Sequence, residues 1–261
     1  MYETLEIEIA GGVATVWMNR PAVHNAFNAQ LIADLTAACC ALEADDAVRV
    51  VVLAGRGKSF SAGADLNWMK AAATSGAEEN LADARRLAAM LSTLAEMAKP
   101  TLARVHGAAL GGGMGLASAC DICIAAEAAV FATSEVRFGI IPSAISPYVI
   151  RAIGARQAGR YFQSGERIGA TRAREIGLAH EVVAAEALDA KVDEVVAALL
   201  QGGPQAQAAA KDLIRAVVHQ PLGDEVAEDT ARRIAALRAT AEAREGLDAF
   251  LAKRPAAWIP Q

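Results

Sequence analysis

The sequence has few of the features that mark nucleic-acid-binding, membrane or secreted proteins. Its lysines and arginines are scattered along the chain and its formal net charge at pH 7 is −5, so nucleic acid is not an expected partner. The most apolar stretch, residues 107–131, is rich in glycine and interrupted by Asp121 and Glu127, which favours buried core over a membrane span. The first residues lack the basic start and apolar run of a signal peptide, which predicts a cytoplasmic protein.

Motifs for metals and resident cofactors are also scarce. Only Cys120 and Cys123 have a C-x-x-C spacing, and the four histidines are dispersed, so we expect reduced cysteines and no metal site. The segment 55–59 fails as a phosphate loop because Val52 occupies its first glycine position. The segment 111–115 fails as a dinucleotide fingerprint because Leu116 or Ser118 stands at the third glycine. No G-x-S-x-G nucleophile elbow occurs.

Hydrophobic periodicity predicts an α/β fold. Alternating runs at 5–9 and 13–18 are joined by two glycines, which indicates a hairpin. Asn28 would cap a helix to about residue 44, continuous apolar strands are expected at 48–53 and 101–106, and a helix from about 114 leads to a strand at 122–125. Beyond Pro142 the pattern is almost wholly helical. The apolar faces of the last sixty residues need cover, either from self-association or from the chain's own core.

Two loops rich in small residues, 61–65 and 111–113, each follow a predicted buried strand, and each is expected to open a helix. The N–H groups at a helix N-terminus lack partners and attract negative charge, and small residues let a ligand approach them. Side by side, the loops would form an oxyanion hole. Close packing of helix on strand is the alternative, because glycines permit that as well.

Glu135 lies between the apolar segments 130–133 and 138–142. A carboxylate held there would lose hydration, which raises its pKa toward the range that is useful for proton transfer at neutral pH. A glutamate exposed at the end of a strand is the alternative reading.

Several segments together resemble the crotonase (enoyl-CoA hydratase/isomerase) superfamily. They are Met18-Asn-Arg-Pro21 with His24-Asn-Ala26, Phe60 to Leu66, Val105 to Asp121, and Ser134 to Pro142. The runs 63–69 and 134–150 look most like the bacterial methylglutaconyl-CoA hydratase branch, which serves leucine and terpenoid breakdown. The resemblance implies a spiral of β-β-α repeats over residues 1–200. It also implies a C-terminal helical region, residues 201–261, that forms homotrimers, often paired into hexamers.

The resemblance also assigns site residues. It implies that the N–H groups of Ala64 and Gly112 hold the oxygen of an acyl-CoA thioester, and that Glu135 is the acid/base. Coenzyme A is part of the substrate, and no separate cofactor is expected. Further substrate or coenzyme A contacts would come from Ala62, Asp65, Leu66, Gly111 and Gly115. The family's usual lysine after Asn-Arg-Pro is missing here, so phosphate contact would fall to Arg20 or to Lys253, with Phe250 packing on the same ligand.

One departure bears on the reaction. Hydratases of the family generally carry a second glutamate where this chain has Gly115, whereas a single glutamate at the Glu135 position is the arrangement of the isomerases. We expect an enoyl-CoA hydratase in which Gly115 makes room for a branched acyl group such as 3-methylglutaconyl. Lys70, Arg137 or Arg160 would then meet the distal carboxylate of that group. An enoyl-CoA isomerase and a non-catalytic acyl-CoA-binding scaffold are the alternatives.

Overall fold

Within residues 2–259, which the computed structural model describes, nine strands form two sheets surrounded by helices. The strands are β1 (Leu5–Ala10), β2 (Val13–Met18), β3 (Val50–Gly55), β4 (Thr101–Val105), β5 (Ala108–Leu110), β6 (Ile122–Ala126), β7 (Val130–Ala132), β8 (Ile168–Gly169) and β9 (Glu181–Val183). The helices are α1 (Ala29–Ala44), α2 (Leu66–Thr74), α3 (Ala77–Glu96), α4 (Gly112–Ala119), α5 (Ser146–Ser164), α6 (Ala170–Glu175), α7 (Leu188–Leu200), α8 (Pro204–Val217), α9 (Asp224–Arg238) and α10 (Ala241–Leu251). Short 3₁₀ helices span Pro21–Val23, Glu135–Phe138 and Ala185–Ala187. The predicted α/β class is confirmed.

The larger sheet has the order β1-β2-β3-β4-β6-β9, and all its neighbours are parallel except β1 and β2. The hairpin that joins β1 to β2 turns at Gly11 and Gly12, whose φ angles are 56° and 81°. Two positive φ angles are what a two-residue hairpin turn requires. The predicted hairpin is therefore confirmed.

Strand β3 is buried on both faces, as its continuous apolar run predicts. Val51 and Leu53 belong to the main core, which also contains apolar side chains of α1, α3, α4 and α5. Val50 and Val52 belong to a second core cluster with residues of α7. The two clusters therefore lie on opposite faces of the sheet, between it and its helices.

Helix α1 begins where its sequence predicts. The Asn28 side chain accepts a hydrogen bond of 2.9 Å from the Leu31 N–H, which satisfies one unpaired donor of the first turn. Leu31 and Leu35 are buried in the main core. The Asn28 cap therefore sets the start of α1, and the buried apolar face sets the orientation of the helix against the core.

The region beyond Pro142 is less uniformly helical than the sequence pattern predicts. Strand β9 is the sixth strand of the larger sheet, and β8 completes a small sheet of order β5-β7-β8. These strands have three and two residues, too few to produce a detectable alternation. The predicted strand at 101–106 is confirmed as β4, whereas the three-residue β5 that follows it was not predicted.

The last sixty residues contain α8, α9 and α10, which confirms the predicted C-terminal helical region. Helix α8 contacts the sheet-containing part of the chain through an ion pair of 2.7 Å between Lys211 and Asp121. Large apolar side chains on this region remain exposed, among them Ile214, Leu222 and Phe250. None of the helices in residues 2–259 combines the length and apolar character needed to cross a membrane.

Candidate active site

Three chain segments lie side by side and end at the same edge of the small sheet, namely the segment around Ser61, β5 and β7. Ser61 forms a parallel bridge with Ala109 of β5, and β5 pairs in parallel with β7. A further parallel bridge joins Phe27 to Ala64. Because parallel neighbours end at one edge, the residues that follow them meet there. The two small-residue loops and the segment leading to Glu135 are brought together in this way.

The predicted oxyanion donors are available for a ligand. The bridge to Phe27 uses the Gly63 carbonyl and the Asp65 N–H, which leaves the Ala64 N–H pointing away from it. Gly112 is the first residue of α4, and its N–H therefore has no partner within the helix. In residues 2–259 neither the Ala64 nor the Gly112 N–H donates to a backbone carbonyl or a side chain. Ala64 is also exposed, so a carbonyl oxygen can reach it.

Glycine is needed where the two loops touch. A β-carbon on Gly63 would lie 2.9 Å from the Leu110 carbonyl oxygen, and one on Gly112 would lie 2.5 Å from the ring of Phe27. Such separations are shorter than any ordinary contact of a side chain. The close packing that was the alternative explanation for these glycines is therefore real, and it coexists with the free N–H groups.

Glu135 begins the 3₁₀ helix that ends at Phe138, and its side chain points back toward Gly111. A β-carbon on Gly111 would lie 3.1 Å from the carboxylate oxygen Oε1 of Glu135. The other oxygen, Oε2, is buried and has no hydrogen-bond partner among the described residues. Burial raises the pKa of Glu135 above its ordinary value. This carboxyl group therefore lies against the residue that precedes Gly112, and its raised pKa suits proton transfer.

The space beside Gly115 is already occupied, which corrects the prediction that this glycine makes room for a branch of the substrate. A β-carbon on Gly115 would overlap Cγ2 of Ile145 and lie 2.8 Å from its Cβ. Ile145 immediately precedes α5 and is only 3% exposed. Its side chain, and not a ligand, accounts for the absence of a side chain at position 115.

Arg20 is committed to the protein itself, although the sequence suggested it for coenzyme A phosphate. Its guanidinium group pairs with Asp65 at 3.0 Å and also donates to the Ala26 carbonyl. Although burial opposes ionisation, hydrogen bonds from the Asn67 N–H and from Arg20 lower the pKa of Asp65. Asp65 also caps α2. The ion pair with Arg20 therefore fixes the position of Asp65, the residue that directly follows Ala64.

The other predicted contacts lie at the edges of the site or away from it. Ala62 and Leu66 flank the Ala64 loop, with Leu66 73% exposed. Phe250 and Lys253 lie at the end of the C-terminal region and are exposed. Arg160 is held by Glu166 through two hydrogen bonds of 2.8 and 2.9 Å, whereas Arg137 and Lys70 are exposed.

Sequence reasoning assigned no role to three residues that shape the site. Asn25 has a positive φ of 55°, is fully buried, and donates to the Arg56 and Ser59 carbonyls. Phe27 supports Gly112, and Ile145 fills the face beside Gly115. Asparagine tolerates the left-handed conformation in turns, so an asparagine just after the Asn19-Arg20-Pro21 turn was a usable signal for Asn25. The contacts of Phe27 and Ile145 join distant segments, which no local pattern reports.

Comparisons with known proteins agree with this geometry. The sequence profile of the family described as enoyl-CoA hydratase/isomerase matches residues 8–261. A Thermus thermophilus protein provisionally named an enoyl-CoA hydratase is 35% identical over 254 residues, which cover 94% of this chain and 96% of the relative. The crystal structure of an enoyl-CoA hydratase from Shewanella pealeana is 40% identical, with a TM-score of 0.95 over 98% of this chain and 96% of that one.

A Legionella pneumophila crystal structure, provisionally described as an enoyl-CoA hydratase/isomerase (crotonase), is 42% identical. It superimposes with a TM-score of 0.93 and covers 98% of both chains. The predicted crotonase fold is confirmed by this likeness. The family profile matches nearly the whole chain, and the relatives have these identities over nearly their full lengths. The site also has two free N–H groups beside a carboxyl group with a buried oxygen. The chain therefore belongs to the enoyl-CoA hydratase/isomerase family of enzymes.

Proposed function

We propose that this enzyme adds water across the α,β double bond of an unsaturated acyl-CoA thioester, with Glu135 as the acid/base. The observation that carries the proposal is the buried, unpartnered Oε2 of Glu135 in a carboxyl group that touches Gly111, next to the free N–H of Gly112. A raised pKa suits a group that must both accept and donate a proton near neutral pH.

The chemistry follows from the arrangement. Attack of water oxygen on the β-carbon moves an electron pair to the thioester oxygen, where the N–H groups of Ala64 and Gly112 stabilise the negative charge. Each such donor contributes roughly 3–4 kcal/mol in acyl-transfer enzymes. The Glu135 carboxylate takes one proton from the water and delivers it to the α-carbon. The product carries the hydroxyl on the β-carbon and the proton on the α-carbon, so the atoms of one water are accounted for and no further cofactor is consumed.

Double-bond isomerisation is the second candidate, and the Ile145 side chain favours it. Because Ile145 occupies the face beside Gly115, this position offers a water molecule no hydrogen-bonding group. A single carboxyl group can still carry one proton between the α- and γ-carbons. The two reactions share Glu135 and the oxyanion donors and differ only in whether water enters.

For the acyl group we propose a branched enoyl chain such as 3-methylglutaconyl. The support is the sequence of the runs 63–69 and 134–150, together with the exposed cations of Lys70 and Arg137 on elements that border the site. Either cation would pair with the distal carboxylate. Arg160 is less suited, because Glu166 already neutralises it.

We further propose that the enzyme is a homotrimer or a hexamer made from two trimers. The exposed apolar side chains of the C-terminal region, including Leu222 and Leu251, need cover of the kind an interface supplies. Lys253 and Phe250 of a neighbouring subunit would then reach coenzyme A. Light scattering on the purified protein tests the proposal, since the mass of a single chain is 27.1 kDa.

A direct assay separates the candidate functions. Crotonyl-CoA and 3-methylglutaconyl-CoA lose their conjugated-thioester absorbance when hydrated, whereas a 3-enoyl-CoA gains it when isomerised. We expect loss of absorbance and faster turnover of the branched thioester. Gain with the 3-enoyl substrate alone would indicate an isomerase. Binding without any change would indicate a scaffold and would overturn the proposed catalysis.

A further inference from the structure

Gly111, which directly precedes α4, and Gly115 in the first turn of α4 are each covered by the same later segment of chain. Gly115 donates its N–H to the Gly111 carbonyl at 3.0 Å, so the two glycines are one turn apart on the same face. The Glu135 carboxylate lies against Gly111, and the Ile145 side chain lies against Gly115. The segment 135–145 therefore runs along this face, with its acid/base group at one end and an isoleucine at the other.

The spacing places Ile145 within reach of a bound acyl chain. Four residues of α-helix rise about 6 Å, so the Ile145 contact is about that far along α4 from the Glu135 contact. A thioester oxygen held by the Gly112 N–H at the start of α4 puts the α-carbon near Glu135. We expect the substituents on the β-carbon to extend from there toward the Gly115 end of the face.

Ile145 cannot easily move away from this position. Its carbonyl accepts the N–H groups of Tyr148 and Val149, both at 3.1 Å, in the first turn of α5. The side chain is buried against the main core, to which Val149 and Ile153 of α5 also belong. The backbone is thus fixed by a helix start, and the side chain by its packing.

We propose that Ile145 is a specificity-determining residue, whose side chain closes the acyl pocket on the Gly115 face and limits the size of the substituent on the β-carbon. The proposal rests on the proposed enoyl-CoA chemistry for its substrate. In this proposal the Ile145 side chain fills the space that the missing side chain of Gly115 leaves. A smaller residue at position 145 would enlarge the pocket without touching Glu135 or the oxyanion donors.

The test compares crotonyl-CoA with cinnamoyl-CoA, whose β-carbon carries a phenyl group, in wild type, Ile145→Val and Ile145→Ala. One methylene in an apolar pocket changes discrimination by about 10- to 200-fold. We expect the cinnamoyl-to-crotonyl ratio of kcat/KM to rise at least ~10-fold in Ile145→Val and further in Ile145→Ala. Ile153→Val, the same change in a buried residue two turns along α5, is the matched control and should leave the ratio unchanged.

A second measurement does not depend on turnover. Gly115→Ala should lower the Tm of wild type, because the added methyl group would overlap Ile145, and should lower it much less in the Ile145→Ala background. The ratio of Kd values for the saturated counterparts of the two thioesters, butyryl-CoA and 3-phenylpropionyl-CoA, measured by calorimetry, should follow the kinetic ratio. If no variant hydrates either thioester, hydration is wrong, yet the Kd ratios still decide the role of Ile145. Equal Kd ratios in wild type and both Ile145 variants, or equal Tm losses in the two backgrounds, would overturn it.

Discussion

Replacing Glu135 with glutamine removes the proton carrier while keeping the shape of the side chain. The carboxylate oxygen Oε2 is buried without a partner, so an amide in its place breaks no observed hydrogen bond. Loss of a positioned general acid/base costs about 10²- to 10⁴-fold in rate, which is at least ~2.7 kcal/mol of transition-state stabilisation. We expect kcat to fall by that factor and the Kd for coenzyme A thioesters to change little.

The assay follows the conjugated-thioester absorbance for kcat and uses calorimetry for Kd. Glu127→Gln is the matched control, because Glu127 is exposed and lies at the end of β6; its rate should equal that of wild type. An unchanged rate in Glu135→Gln would refute the role of Glu135. A rate loss matched by an equal loss of affinity would show that the residue binds substrate and does not move a proton.

The same substitution has a consequence for stability. The pKa of Glu135 in the folded protein is raised above the ordinary value of 4.5, so the folded state holds its proton at pH values where the unfolded state has lost it. Stability from this group is therefore full below pH 4.5 and declines as pH rises through the folded pKa. Between pH 4.5 and neutrality wild type should lose stability relative to Glu135→Gln, as measured by urea unfolding. A constant difference would contradict the raised pKa.

Two further predictions concern the surroundings of the site, and a third concerns the cysteines. Gly112→Ala should cut kcat by about 100-fold, because the methyl group would press on the Phe27 ring and shift an oxyanion donor; an unchanged kcat would remove that N–H from the mechanism. Asp65→Asn should lower the free energy of unfolding at pH 7 by about 1–2 kcal/mol through the weakened Arg20 contact, with the difference shrinking as pH falls below 3.8, and a pH-independent difference would contradict this. A thiol reagent should label one cysteine of the native protein, the exposed Cys40, and labelling of all four by mass spectrometry would contradict the burial of the rest.

The local features of the fold could be predicted from the sequence because each depends on neighbouring residues. The Gly11–Gly12 turn, the Asn28 cap and the buried run of β3 are set by backbone conformation, capping and continuous burial. Strand β9 could not be found, because three residues in register with β6 gain their identity from that neighbour alone. The same reason hid β5, which belongs to a different sheet from β4.

In the candidate site, too, local features could be predicted from the sequence and contacts between distant residues could not. Glu135 and the loops around Ala64 and Gly112 were found from small-residue and apolar patterns and from the family resemblance. The prediction that Gly115 makes room for a branch of the substrate is wrong, because a glycine in a sequence shows only that room is needed and not what fills it. The structure shows what occupies that room, a side chain thirty residues later. The pairing of Arg20 with Asp65 could not be predicted for a similar reason, since the two residues are far apart in sequence.

The most direct measurement is a crystal structure of the enzyme with an unreactive saturated acyl-CoA. The account predicts a thioester oxygen at hydrogen-bond distance, about 2.7–3.1 Å, from the N–H groups of both Ala64 and Gly112, with the Glu135 carboxyl group in van der Waals contact with the α-carbon. A thioester bound elsewhere, or a Glu135 side chain well away from the second to fourth acyl carbons, would contradict the proposed chemistry even though the fold is unchanged.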